Sequence, residues 1–193
     1  AARVSFAESS ALLQELAGLK VEAKHVERAA EALGREIADD ERRVVVPAAA
    51  PSAPTLYLGV DGTGIPMRAA ELEGRPGKQP DGSAKTREAK LCTVWSAEAR
   101  DPAGQPERDP GSVTYSGAVE SAATRDTDLE PSQFAARVVR EATRRGFEQA
   151  ARRVVLGDGA VWIWNLAHEQ FPGAIQIVDR CHAKQKLNAV AKA

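Results

Sequence analysis

The chain has 193 residues, of which 43% are hydrophobic, and its formal net charge is −1. This length allows one domain of ordinary size with a small appendage, and this composition allows a buried core. A charge near zero excludes a global basic field, so any positive charge that holds nucleic acid must be local. Apolar runs stay below the roughly 18 residues of a membrane span, and we expect no membrane partner. The cysteines, Cys92 and Cys181, lack metal-type spacing, which favours a reduced, cytoplasmic setting.

Two helical segments open the chain and predict a hairpin over residues 1–46. The first helix is expected at 6–17 and the second at about 22–43. Apolar residues of the second helix recur at helical spacing and predict one buried face: Val26, Ala30, Leu33 and Ile37. The hairpin is compatible with a helix-turn-helix that presents a basic set to DNA, namely Lys24, His25 and Arg28. The same pattern is also typical of a plain hairpin used for packing or pairing.

A proline- and alanine-rich stretch at 47–55 predicts a linker, because proline disfavours helices and central strands. The remainder, 56–193, is expected to form the core domain. Strands are predicted at 56–64, 89–97, 113–121, 154–156 and 174–178, and helices at 131–145, at 160–171 and from about 183. This order predicts an α/β fold, a mixed sheet with helices on its faces. A ribonuclease-H-like fold has this order, whereas a doubly wound nucleotide-binding fold would open with alternating strands and helices.

Two aspartates stand at the ends of predicted strands. Asp158 follows an apolar run, and the flanking Gly157 and Gly159 permit a sharp turn around it. Asp61 interrupts the apolar strand at 56–64, where an unpaired charge is costly. Carboxylates at the tips of two buried strands suggest metal-dependent phosphoryl chemistry. For Asp61 taken alone, a cap on the following Gly-Thr-Gly turn is an open alternative.

A polar loop predicted at 71–90 contains five basic residues, and basic residues outnumber acidic ones in its second half. The five are Arg75, Lys78, Lys85, Arg87 and Lys90. A loop so close to the Asp61 strand could hold a phosphate backbone through these side chains. A charged loop is also typical of a solvated hairpin, which the charge pattern by itself favours.

Asp179 and His182 follow the last predicted strand and stand three residues apart. A helical turn would place them on one face, where a carboxylate and an imidazole can hydrogen bond or share a metal ion. The alternative is that Asp179 caps the next helix.

Four segments resemble bacterial insertion-sequence transposases of the ISKra type. They are VDGTGIPM (60–67), EGRPGKQPDGSAKTREAKL (73–91), VVLGDGAVWIWN (154–165) and FPGAIQIVDRCHAKQKL (171–187). The resemblance runs from about residue 20 onward, and its GRPGKQPDGSAKTREAK string is very specific. The last segment is also similar to the Mutator-like group, which carries a Cys/Asp-x-x-His signature after its second catalytic aspartate.

The resemblance implies a DDE transposase on a ribonuclease-H-like fold. Asp61 and Asp158 match its first and second catalytic carboxylates, and Asp179 and His182 match the Asp-x-x-His signature. Two Mg²⁺ (or Mn²⁺) ions, held by the two carboxylates, would activate water or a DNA 3′-hydroxyl and stabilise the leaving oxygen. The resemblance also makes the basic loop a candidate contact for DNA, both terminal repeats and target, and it is compatible with a homo-oligomer.

Members of this family carry a third acid, a glutamate on a later helix, and the chain stops at Ala193 before such a helix. We therefore expect a fragment of a longer reading frame that is inactive alone. Glu169, on the helix that adjoins Asp158, does not match that position, and Glu88 is a further candidate to approach the metal ions. Two other classes stay open: a DNA-binding or multimerisation module with an inactive core, and a ribonuclease-H-like nuclease that cuts without joining.

Overall fold

A computed structural model of the chain describes residues 4–41, 43, 45–46, 53–74, 79–120, 122 and 132–192. The chain divides into two compact units, residues 1–41 and 42–193. Most of the predicted linker, residues 47–52, lies outside the described residues. No helix within the described ranges is long and apolar enough to cross a bilayer.

The first unit is a pair of helices, α1 (Phe6–Ala17) and α2 (Ala23–Asp40). Ser5 caps α1: its hydroxyl accepts from the Glu8 N–H, and the Glu8 carboxylate accepts from the Ser5 N–H at 2.7 Å. The predicted buried face of α2 is wrong, because neither helix contains a buried residue. Leu33 is 57% exposed and Ile37 is 47% exposed. Two helices alone offer too little surface to enclose an apolar face.

The second unit contains the predicted mixed sheet. Its strands are β1 (Thr55–Pro66), β2 (Thr86–Trp95), β3 (Ala99–Arg100), β4 (Pro106–Glu107), β5 (Thr114–Ala118), β6 (Arg152–Gly157) and β7 (Ile175–Val178). Five of them form one sheet in the order β5–β2–β1–β6–β7. Strand β1 pairs antiparallel with β2 and parallel with β6, so it lies where the two directions meet.

Three helices follow in the second unit: α3 (Gln133–Arg144), α4 (Val161–Gln170) and α5 (Arg180–Val190). Short 3₁₀ turns lie at Ala69–Glu71 and Phe147–Gln149. Ser132 caps α3 by accepting from the Ala135 N–H at 3.1 Å. Helix α5 begins three residues earlier than predicted, because Asp179 caps it.

The apolar core lies on one face of the sheet, against α3 and α4. Leu56, Leu58 and Val60 of β1 point into it and are at most 3% exposed. They join helix side chains that include Phe134 and Ile163. Because side chains alternate along a strand, Asp61 lies on the opposite face, with its pairing neighbour Leu91 on β2. This alternation lets a charged residue stand within β1 without entering the core, although the sequence had predicted it at a strand end.

Two differences from the predicted strands bear on the site. Strand β2 begins at Thr86, so Arg87 and Lys90 belong to the sheet and not to the polar loop. The second difference is the short ribbon of β3 and β4, in which Ala99 pairs with Glu107. No strand was predicted there, because two-residue strands have no periodic signal. This ribbon leads directly into Arg108.

Candidate active site

Three aspartates meet at one end of the parallel part of the sheet. Asp158 follows β6 and Asp179 follows β7, while Asp61 lies in β1 beside β6. The Asp179 N–H donates to the Gly157 carbonyl at 2.9 Å, which ties the two strand ends together. Since the carboxyl ends of parallel strands share one edge of a sheet, ligands commonly bind in the crevice there.

A pocket of about 310 Å³ occupies this edge. Its lining includes Asp61, Asp158 and Asp179, together with Trp95 and Arg108. The structure therefore brings the two aspartates singled out in the sequence to one cavity, on one side of the sheet. Asp179 is the third carboxylate of the same cavity.

Asp61 and Asp158 each accept a hydrogen bond from a backbone N–H one or two residues further along the chain. Oδ1 of Asp61 accepts from the Gly62 N–H, and Oδ1 of Asp158 accepts from the Ala160 N–H, both at 2.8 Å. Neither carboxylate forms an ion pair with a lysine or arginine among the described residues. Each aspartate therefore anchors one oxygen to the backbone and leaves the other for a ligand.

The two glycines around Asp158 serve different purposes. Gly159 has a φ of +95°, a conformation that glycine adopts without steric cost. Gly157 has no such backbone requirement, but a Cβ there would lie 2.8 Å from Cγ2 of Ile163. The glycine before Asp158 is thus needed for the close approach of α4, and only the one after it for the turn.

Asp179 and His182 realise both of the interpretations that the sequence left open. Oδ1 of Asp179 accepts from the N–H groups of Cys181 and His182, which caps α5. Its Oδ2 lies 2.7 Å from Nδ1 of His182. Both oxygens of Asp179 are therefore engaged, and the carboxylates with an open oxygen are Asp61 and Asp158.

The charges of the pocket act on His182. The hydrogen bond with Asp179 raises the pKa of the imidazole, and the negative charges of Asp179, Asp158 and Asp61 raise it further, against partial desolvation. The same hydrogen bond, followed by that from the Cys181 N–H, lowers the pKa of Asp179. These shifts favour an imidazolium–carboxylate pair beside the two open carboxylates.

Asp61 and Asp158 are the residues that could hold a divalent metal ion, because each has an open carboxylate oxygen. No group of three or more His, Cys, Asp or Glu side chains in the described part of the chain is arranged to hold a metal ion. Mg²⁺ commonly keeps several waters and binds through one or two carboxylates plus substrate phosphates. The open oxygens of Asp61 and Asp158 suit that hard ion, with water and phosphate completing its coordination.

Glu88 does not approach this site, which corrects the expectation from the sequence. A Cβ at Gly62 would lie 2.5 Å from Oε1 of Glu88, so this glutamate shares the sheet face of Gly62 and not that of Asp61. It forms an ion pair with Lys90, Oε2 to Nζ, at 2.9 Å. Glu169 is an exposed residue of α4.

The basic residues predicted to contact DNA divide into four groups. Lys90 is only 8% exposed, and its Nζ also donates to the Glu120 carbonyl at 2.9 Å, so it is a buried cation and not a surface contact. Arg87 is half-buried and donates to the Val119 carbonyl at 3.2 Å. Lys85 is exposed. Arg75 and Lys78 lie outside the described residues.

Two residues of the pocket were not recognised from the sequence as functional. They are Trp95, the last residue of β2, and Arg108, which follows β4. No periodic or spacing signal distinguishes either one, because their proximity depends on the ribbon of β3 and β4.

No protein-family model and no curated protein matches the chain. The function is therefore inferred from the fold and from the chemistry of the pocket.

Proposed function

We propose that the chain is the catalytic core of a DNA transposase, which cleaves and transfers DNA strands with divalent metal ions held by Asp61 and Asp158. The single observation that carries this proposal is the shared pocket of these two residues, each with an open carboxylate oxygen. They come from positions almost a hundred residues apart in the chain, and both belong to segments that resemble insertion-sequence transposases.

The order of the elements supports a ribonuclease-H-like fold. Antiparallel strands β5, β2 and β1 form one half of the sheet, and the parallel strands β6 and β7 extend it beyond β1. Helices α3, α4 and α5 alternate with the last strands. Such an arrangement presents carboxylates at the end of the parallel part of the sheet, where a DNA backbone could reach them from solvent.

The residues of the chain would divide the work as follows. Asp61 and Asp158 would hold Mg²⁺ or Mn²⁺, and the bound ion would supply an activated water or 3′-hydroxyl and charge stabilisation of the leaving oxygen. His182, protonated against Asp179, would place a positive charge beside the carboxylates. Among the described residues of the pocket, Asp61 and Asp158 are the carboxylates with an open oxygen, so we expect weak metal binding until a DNA phosphate completes the coordination.

Metal binding tests this proposal without depending on activity. Mn²⁺ binding is measured by electron paramagnetic resonance for the unaltered chain and for Asp61→Asn, Asp158→Asn and Asp81→Asn. The last variant is the matched control, because Asp81 is an exposed loop carboxylate bonded to Ser83. We expect the two site variants to weaken binding at least about tenfold, and the control to leave it unchanged. Equal binding by all four proteins would refute the proposal.

Strand cleavage is then assayed on supercoiled plasmid and on linear DNA with Mn²⁺. Any nicking should disappear in Asp158→Asn and persist in Asp81→Asn. Joined products indicate a transposase, whereas nicked products alone indicate a ribonuclease-H-like nuclease.

A further inference from the structure

The guanidinium group of Arg108 lies over the indole ring of Trp95, 4.5 Å from the ring centroid. Both side chains line the pocket that contains the three aspartates. Arg108 is the basic side chain of that lining, and it is exposed. The stacking thereby holds a cation in the lining of a pocket with three carboxylates.

Trp95 is a rigid platform for this cation. It is 7% exposed, and its ring stacks on Tyr57 with centroids 5.6 Å apart and an angle of 15° between the planes. A Cβ at Gly59 would lie 2.9 Å from the indole, so the ring rests directly on β1. Gly59 stands two residues before Asp61, which fixes the platform relative to that carboxylate.

The backbone on either side of Arg108 is equally well fixed. Glu107, the last residue of β4, pairs with Ala99. The Asp109 carboxylate accepts from the Ser96 hydroxyl and from the Ala99 N–H, and the Asp109 N–H donates to the Ser96 carbonyl at 3.0 Å. These bonds clamp the base of the ribbon to the end of β2, so Arg108 is positioned before any ligand arrives.

The edge of the guanidinium is left open. Stacking on an indole uses the face of the group, and the N–H donors around its rim stay free to bind. Within the residues that the structure describes, these donors form no hydrogen bond or ion pair, although three carboxylates line the same cavity. A planar fork of N–H donors matches two oxygens of a phosphate group.

We propose that Arg108 binds a non-bridging phosphate oxygen of the DNA strand that enters the carboxylate pocket and positions that strand for cleavage. The proposal rests on the proposed function for the identity of the polymer. Its physical basis is electrostatic: a phosphodiester is repelled by three carboxylates, and a fixed cation in the lining of the same pocket offsets that repulsion. The indole platform orients the cation and excludes water from one of its faces.

The test measures DNA affinity, a readout separate from Mn²⁺ affinity and from cleavage. Binding of a fluorescein-labelled short DNA duplex is followed by anisotropy in Ca²⁺ at several salt concentrations, with the unaltered chain, Arg108→Gln, Arg108→Lys and Arg100→Gln. Arg100 is the matched control, since it is an exposed arginine of the same ribbon outside the pocket lining. We expect Arg108→Gln to weaken binding about tenfold to a hundredfold, and to reduce the slope of log K against log salt by about 0.9.

The two other variants sharpen the result. Arg108→Lys should keep the salt slope but recover only part of the affinity, because a lysine cannot form the planar fork. Arg100→Gln should stay within about twofold of the unaltered chain. A duplex in which single phosphates are replaced by neutral methylphosphonates should abolish the Arg108→Gln penalty at one position only, which a purely structural role would not do.

Failure of this inference is distinguishable from failure of the proposed function. If Arg108→Gln binds DNA like the unaltered chain, or no better and no worse than Arg100→Gln, the inference is wrong even when Mn²⁺ binding depends on Asp61 and Asp158. If Arg108→Gln loses affinity while the aspartate variants keep Mn²⁺, the phosphate contact stands and the metal-dependent function falls. If the unaltered chain binds no DNA, the inference is also overturned.

Discussion

Nδ1 of His182 lies 2.7 Å from Oδ2 of Asp179, and Asp179 lines the same pocket as Asp61 and Asp158. A titratable pair is thus attached to the edge of a carboxylate site, at the first turn of α5. Its ionisation changes the net charge of the pocket and the stability of that turn together.

The first prediction concerns the pH range in which this pair is formed. The pKa of His182 is raised, so its contribution to stability is complete below the ordinary histidine value of about 6.5 and is lost as pH rises through the raised value. The pKa of Asp179 is lowered, so its contribution is complete above about 3.9 and is lost as pH falls through the lowered value. The pair is therefore formed from mildly acidic to near-neutral pH.

Nuclear magnetic resonance titration of the His182 ring measures this directly. We expect Asp179→Asn to lower the pKa of His182, while the new asparagine still caps α5. Asp61→Asn should lower it by less, since Asp61 acts only through space. Asp81→Asn is the control and should have no effect. An unchanged pKa in Asp179→Asn would show that the hydrogen bond is not its cause.

The second prediction concerns Gly157, the last residue of β6. Gly157→Ala should lower the free energy of unfolding by about 1–3 kcal/mol, because the new Cβ would collide with Ile163. Displacement of α4 would also move Asp158, so Mn²⁺ affinity should fall. Urea unfolding followed by tryptophan fluorescence measures the first effect, since Trp95, Trp162 and Trp164 all belong to the second unit.

Gly34→Ala is the matched control for this experiment. Gly34 lies within α2, and a Cβ there meets nothing within 4 Å. It should leave the tryptophan-detected transition unchanged. Equal stability of the two variants would mean that α4 yields to the added methyl group without cost.

The third prediction separates Lys85 from Lys90, two lysines of the region predicted to contact DNA. Lys90→Met should lower the free energy of unfolding by about 1–3 kcal/mol, because it removes the partner of Glu88 and of the Glu120 carbonyl. It should leave DNA affinity unchanged. Lys85→Met should weaken DNA binding and leave the free energy of unfolding unchanged, since Lys85 is exposed on the loop before β2.

Urea unfolding and DNA anisotropy on the same two proteins provide the comparison. For Lys85→Met we expect the slope of log K against log salt to fall by about 0.9. Loss of DNA affinity in Lys90→Met without loss of stability would restore Lys90 as a surface contact. A Lys85→Met variant with an unaltered slope would show that the loop is solvated and does not bind DNA.

The predictability of the site follows the range of the interactions that build it. Asp179 could be predicted as a cap because capping involves residues two and three positions away. The end of β6 before Asp158 could be predicted from a short apolar run bounded by glycine. Lys90 could not be placed, because its burial depends on the pairing of β2 with β5 and on the Glu120 carbonyl, thirty residues away. Arg108 was missed for the same reason.

The sequence by itself determined the approximate positions of the main strands and helices, because turns, caps and apolar periods act over a few neighbouring positions. Only the tertiary structure decided which of these residues meet. Strand register is the physical reason: pairing Asp61 with Leu91 turns its carboxylate away from the core, and a shift of one residue would bury it. Register depends on contacts between distant segments, so no local pattern specifies that Asp61, Asp158 and Arg108 share one cavity.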